Sequence, residues 1–285
     1  DDGGRHWRSV AFTDKDDPRY NMQDNYVTIY FLAKSLTGWA SCGSAINPAN
    51  PDHILFNHYC SVFISEDGGK SWRSVETTAA PGNPDRHAPI ARHRWINNGL
   101  TNTTTWHHYI DPFDHQRRFI AYTDIGLAHS TDGGATWIWD RFQGPNTYEM
   151  AFDPEVPGRI WAAFTGLHDI PNNNVVLTEQ PLNSRGCVGY TEDAGLTWRG
   201  LNRGLPGYSE EIIYDWNSGM SSTAAGVTSI IIDPRSPKEK RTLFASSWES
   251  GVYKSIDGGR NWIPKTAGVG APGVNMRVCR LRLHP

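Results

Sequence analysis

The side chains with the most chemistry to offer lie in stretches without a regular pattern. Asp215 sits between Tyr214 and Trp216, and Glu249 follows Trp248, so each acid has a ring beside it that could stack on a sugar. Asp169, Glu210 and Glu211 are further acids in such stretches. Two carboxyl groups can cleave a glycosidic bond: one donates a proton to the leaving oxygen, and the other activates water or attacks the anomeric carbon. His, Arg and Tyr gather as well, in His58-Tyr59, His87, Arg92-His93-Arg94, His107-His108 and His168. These types suit a lyase, where Arg or His neutralises a uronate carboxylate and His or Tyr removes the C5 proton. The plain alternative is that they hydrogen-bond loop backbone, the better reading for His107-His108 beside a strand.

The elements that must position these residues announce themselves by repetition. Ser-x-Asp-x-Gly-x-Thr-Trp, or a close variant, occurs at Ser65–Trp72, Ser130–Trp137, Thr191–Trp198 and Ser255–Trp262, and a cut copy holds Asp2, Gly4, His6 and Trp7. Its aspartates, at 2, 67, 132, 193 and 257, follow one another at intervals of 65, 65, 61 and 64 residues. A regular period of this size means one supersecondary unit repeated. Asp-Gly-Gly is a tight turn between strands, with Gly supplying positive φ. The Asp and Ser/Thr side chains can bond the turn backbone, and the Trp is an apolar plug entering the next strand. These aspartates are read as structural and not as catalytic candidates.

A second signature precedes each copy, a short apolar strand ending in Asn/Asp-Pro: Asn47-Pro48, Asp111-Pro112, Asp153-Pro154 and Asp233-Pro234. Pro cannot continue a central ladder, so strand one ends there. An alternating second strand follows at 53–59, 118–123, 159–165 and 242–247, then a third strand into the repeat turn and a fourth from the Trp. The expected fold is all-β, with four-stranded antiparallel blades at about 39–76, 103–141, 146–201 and 226–265. Residues 1–10 and 274–285 are expected to be flanking strands of incomplete blades in one partial domain. The linkers 11–38, 77–102 and 202–225 and the insertion 166–186 are long, and long ordered loops are more often functional.

The repeat is identified as an Asp-box, or BNR repeat, and resembles those of sialidases, xyloglucan-cleaving glycoside hydrolases and sortilin-type receptors. The resemblance implies a β-propeller of six or seven blades in a longer, secreted protein. It also implies that sites lie on the rim opposite the boxes, near the central channel. Tyr122-Thr123-Asp124-Ile125-Gly126-Leu127 looks like the Thr-Asp-Ile-Gly-Gly stretch of the xyloglucan-cleaving family, with Leu127 in place of the second Gly. By that resemblance Asp124 alone carries over as one of two catalytic carboxylates; Glu249, a same-rim acid, occupies the equivalent loop two blades on. The other reading is that Asp124 caps the turn between strands two and three.

The functional expectation is a glycoside hydrolase on a plant- or algal-type polysaccharide. Asp124, Glu249 and Asp215 are its catalytic candidates. Trp248, Trp216, Tyr214, His58, Tyr59, Arg92, His93 and His168 are its substrate-binding candidates. A uronate lyase and a non-catalytic glycan- or protein-binding propeller remain as alternatives; a sialidase is disfavoured because no Arg-Ile-Pro motif is visible. Net charge is -3 and basic residues form no long run, so no nucleic-acid partner is expected. The longest apolar stretch, near residues 27–33, is too short to span a bilayer. Cys42, Cys60, Cys187 and Cys279 lack metal-ligand spacing, so no metal or cofactor is expected. Cys42 and Cys60 could pair across neighbouring strands, and Asn102-Thr103-Thr104 is a glycosylation sequon.

Overall fold

A computed structural model describes residues 3–26, 43–58, 61–89, 92–99, 104–140, 146–167, 185–210, 213–215, 220–222, 224–269 and 276–284. Tyr59, His168, Asp169, Glu211, Trp216, Cys42, Cys60 and the sequon residue Asn102 fall outside them.

Four sheets follow the expected order of strands. The first holds β1 (Gly43–Ile46), β2 (Ile54–His58), β3 (Ser61–Ser65) and β4 (Arg73–Ser74), ordered β1-β2-β3-β4. A hairpin joins β5 (Thr77–Ala79) to β6 (Trp95–Asn97). The second sheet holds β7 (Thr105–Ile110), β8 (Arg118–Tyr122), β9 (Leu127–Ser130) and β10 (Ile138–Asp140). The third holds β11 (Asn146–Phe152), β12 (Ile160–Thr165), β13 (Arg185–Thr191) and β14 (Arg199–Gly200). A second hairpin pairs β15 (Ile213–Asp215) with β16 (Met220–Ser222), and β17 (Ala224–Ala225) adds to β13. The fourth sheet holds β18 (Val227–Ile232), β19 (Leu243–Ser247), β20 (Gly251–Ser255) and β21 (Ile263–Pro264). The fold class is all-β, built from antiparallel four-stranded sheets of the β-propeller blade type. The long linkers 77–102 and 202–225 are therefore not bare loops: each carries a hairpin of its own.

The chain divides into two compact units, Asp1–Thr103 with Gly134–Trp139, and Thr104–Gly133 with Asp140–Pro285. In the first unit the repeat turn closes on itself. Asp67 accepts from Ser65 Oγ (2.8 Å), from the backbone N–H of Lys70 and Ser71 (3.0 and 2.9 Å) and from Ser71 Oγ (2.6 Å). Led by the bond from Ser71, these donors hold the Asp67 carboxyl down at about 2. In the second unit Asp193 and Asp257 repeat the pattern, bonded by Thr197 and Asn261 where the first turn has Ser71. The turn then anchors to its own sheet. N–H groups of Gly68, Gly133, Ala194 and Gly258 donate to Asp52, Gln116, Gly158 and Arg241 carbonyls at 2.9–3.0 Å. Strand-one-to-two turns and repeat turns therefore share one end of each sheet.

Trp72, Trp137 and Trp262 are buried, and Trp198 is partly so; Trp7 of the cut copy is the exception, at 90% exposed. Linker backbone clasps three of them: Trp72 N–H donates to Asn21 O, Trp137 N–H to Trp95 O and Trp262 N–H to Arg203 O. Core packing in the second unit follows the period of two. Trp161 and Ala163 of β12 join a cluster with Val188, Ile230 and Leu243. Ile160, Ala162 and Phe164, on the other face, join Phe119, Leu127 and Met150. With both faces covered, all six residues of β12 are buried, and each large side chain contributes about 2 kcal/mol.

Candidate functional site

The opposite end of the second unit's sheets carries the turns from strand two to strand three. Two of these, β8 to β9 and β19 to β20, share an unusual backbone. Asp124 (φ 67°) and Glu249 (φ 72°) are left-handed, and each stands two residues before a left-handed glycine, Gly126 (φ 84°) and Gly251 (φ 83°). The left-handed region costs a non-glycine residue about 1–2 kcal/mol. Ala194 in a repeat turn is the third such non-glycine residue among those described. Short bonds close both turns: Ile125 N–H to Thr123 O (2.8 Å), and Ser250 N–H to Ser247 O (3.1 Å).

Each turn is braced by the segment that follows its own sheet. Gly126 bridges to Asn146, and Ser250 bridges to Met276, both in parallel sense. The fully buried Asn146 accepts at Oδ1 from Thr123 Oγ1 (2.7 Å) and from the Asp124 N–H (2.8 Å). Its Nδ2 donates to the Thr165 carbonyl (3.0 Å). At the other turn, Arg277 Nη2 lies 3.4 Å from Glu249 Oε1, and its guanidinium sits 5.8 Å above the Trp248 ring. The backbone of the Asp124 turn thus rests on a neutral amide, and the Glu249 carboxylate of the other turn faces a cation. Neither Asn146 nor Arg277 was legible as a site residue, since nothing local in their sequence marks them.

Aromatic side chains pack close by. Trp106 stacks on Tyr148 with centroids 4.8 Å apart, and Tyr148 Oη donates to the Leu167 carbonyl (3.0 Å). Trp248 joins this cluster and is only 3% exposed. As a sugar platform it therefore needs correcting: a ring packed on that cluster presents no open face. Among the described residues, the buried indole N–H groups of Trp106 and Trp248 meet no acceptor.

On the same unit's inner strands, Glu149 is a buried carboxylate that motif reasoning passed over. It accepts from Ser229 Oγ, from the Ile230 N–H (3.2 Å) and from Arg282 Nη1 (2.8 Å), tying β11 to β18 and to residue 282. His107 on β7 contacts Arg280. Desolvation, then the Arg280 charge, lower its pKa. Burial pushes Tyr109 up to about 12 while its oxygen accepts from the Met150 N–H.

Asp215 and Tyr214 lie on β15, in register with Met220 and Ser221. His58 ends β2 opposite Ser61. In the first unit Arg92 is exposed. His93 there is buried and stacked on Trp95 at 5.6 Å, with its two ring nitrogens 3.2 Å from the Pro89 and Asp85 carbonyls. That is a structural histidine closing its loop, which corrects its assignment to substrate binding. Among the described residues no three His, Cys, Asp or Glu side chains gather closely enough to hold a metal ion.

No family model matches the chain, and no curated protein matches it. Solved structures do. The GH74 xyloglucanase of Xanthomonas campestris is 18% identical, over 78% of this chain and 29% of that one, with a TM-score of 0.37. An α-L-arabinofuranosidase of Fusarium graminearum is 15% identical, over 77% of this chain and 57% of that one, with a TM-score of 0.31. YCF48 bound to a D1 peptide is 12% identical, over 80% of this chain and 68% of that one, with a TM-score of 0.34. The chain spans under a third of the xyloglucanase's length. Likeness of this degree carries no residue role across.

Proposed function

We propose that this chain is part of a secreted glycoside hydrolase that cleaves a polysaccharide backbone by carboxylate acid/base catalysis, with Asp124 as one of the acting groups. The observation that carries this reading is the shared seat of Asp124 and Glu249: two acids, in matching turns of two sheets, each in a strained left-handed backbone. Strain of this kind persists only where the surroundings hold it, and it clusters at active sites. Glu249 is the partner carboxylate of the reading, and Asp215, beside Tyr214, is the next candidate. The test is Asp124→Asn assayed on xyloglucan and related β-glucans. This change keeps the shape and removes the proton chemistry, so turnover should fall by at least about 100-fold with folding intact. Full turnover in Asp124→Asn removes Asp124 from the mechanism. Glycan binding with no turnover in any variant, wild type included, makes the protein a binding module.

A further inference from the structure

The turn that presents Asp124 is held by more than its own bonds. Its left-handed residue sits between Thr123 and Ile125, and the Thr123 hydroxyl and the Asp124 N–H both reach across to β11, a strand of another sheet in the same unit. Asn146 meets them with one oxygen: Thr123 Oγ1 at 2.7 Å and Asp124 N at 2.8 Å. The other end of the same amide is fixed by the Thr165 carbonyl at 3.0 Å, at the C-terminal end of β12. A buried amide with its oxygen and nitrogen both engaged has one orientation, and a flipped amide would set Nδ2 against two donors. The backbone of Asp124 therefore inherits its position from β11 and β12.

We propose that Asn146 is a positioning residue for the reaction. It acts through Asp124 by fixing the left-handed turn, and it touches neither substrate nor the reacting bond. This rests on the reading of Asp124 as a catalytic group. Misplacing a reacting group by about 1 Å can cost on the order of 100-fold in rate. Such a loss falls on kcat, because ground-state binding along the rest of the glycan is untouched.

The experiment uses the full chain and xyloglucan as the probe, with Asn146→Ala, Thr123→Val, Asp124→Asn and the double variant Asn146→Ala/Asp124→Asn. Amide hydrogen exchange at Asp124 is followed in parallel. Asn146→Ala should lower kcat by about 10- to 100-fold with KM within about 2-fold, and Thr123→Val by about 3- to 10-fold. In the Asp124→Asn background the Asn146 change should add less than about 2-fold, as expected for residues acting as one unit. Exchange at the Asp124 amide should speed up by at least about 10-fold in Asn146→Ala. If Asn146→Ala does not fold, Thr123→Val decides by the same kcat and exchange readouts. Loss of activity in Asp124→Asn with unchanged kcat and unchanged exchange in Asn146→Ala or Thr123→Val overturns the positioning role alone. Full activity in Asp124→Asn overturns the catalytic reading, and the positioning role with it.

Discussion

Arg241→Leu tests how the second unit's sheets are joined. Arg241 precedes β19, and Asp153 ends the first-strand signature after β11. Both are out of solvent, at 1% and 0% side-chain exposure. Arg241 Nε donates to Asp153 Oδ2 (3.0 Å) and Nη2 to Oδ1 (2.7 Å), a two-pronged pair, while Nη2 also reaches Glu155 Oε2 (2.6 Å). Removing one partner of such a pair strands a buried charge and costs about 3–5 kcal/mol. Arg159 Nη1 remains 3.4 Å from Asp153 Oδ2, so the lower end, about 3 kcal/mol, is expected. At roughly 2–4 °C per kcal/mol that lowers Tm by about 6–12 °C. The pH dependence identifies the charge. Desolvation raises the Asp153 pKa, but bonds from Arg241 and the Glu155 N–H outweigh it and hold the carboxyl below its ordinary 3.8. A depressed carboxyl stabilises above its unfolded pKa and loses that contribution as pH falls through the folded one. Wild type should therefore lose this stability in acid, and the gap to Arg241→Leu should narrow from pH 7 to pH 3. Replacing Asp153 by Leu as well should recover most of the loss. Thermal and urea unfolding read these gaps. A gap under about 1 kcal/mol at pH 7, or one that does not change with pH, would refute the argument.

Two further outcomes follow from the first and fourth sheets. Glu76 is buried, accepting from Ser61 Oγ (2.9 Å) and the Val62 N–H (3.2 Å), and desolvation raises its pKa from 4.5 to about 7. A raised carboxyl favours the protonated folded form, so stability is lost as pH climbs from about 4.5 through 7, by roughly 3 kcal/mol at 1.36 kcal/mol per unit. Glu76→Gln should flatten that slope in urea unfolding, and an unchanged slope counts against the assignment. Gly258 (φ 75°) has open space where a Cβ would go, so Gly258→Ala meets backbone strain alone. Strain of about 1–2 kcal/mol, offset by about 0.5–1 from reduced chain entropy, leaves a loss of about 0–1.5 kcal/mol. The repeat already seats Ala194 (φ 59°) at the matching position, and a loss above about 3 kcal/mol would mean that something other than φ is at stake.

Legibility in the sequence tracked how local the interactions were. The repeat turn was readable because its Ser, Asp and Gly satisfy one another within a few residues, as Ser65, Asp67, Gly69 and Ser71 do. The strand-one signature was readable for the same reason. Asn47, Asp111, Asp153 and Asp233 each accept at Oδ1 from the N–H two residues on, at 2.8–3.0 Å. What stayed hidden was long-range. The β5–β6 hairpin looked like bare linker because its pairing closes over fifteen intervening residues, and its Trp95 then bonds Trp137. His93 looked available for chemistry because the carbonyls that occupy it belong to a loop with no motif.

The candidate site obeys the same division. That Asp124 and Glu249 stand in equivalent loops could be read from the period, since the repeat aligns one sheet with another. Their difference could not. It arises where each turn meets the segment following its sheet, as Asn146 for one and Arg277 for the other. An acid/base pair needs two carboxyl groups in unlike environments, and identical repeats alone would supply like ones. On the proposed reading, the repeating frame places the two carboxylates, and the irregular neighbours at the seams hold their two turns differently. On that reading the site arises where the repeat's symmetry breaks at those contacts, with the strands left alone.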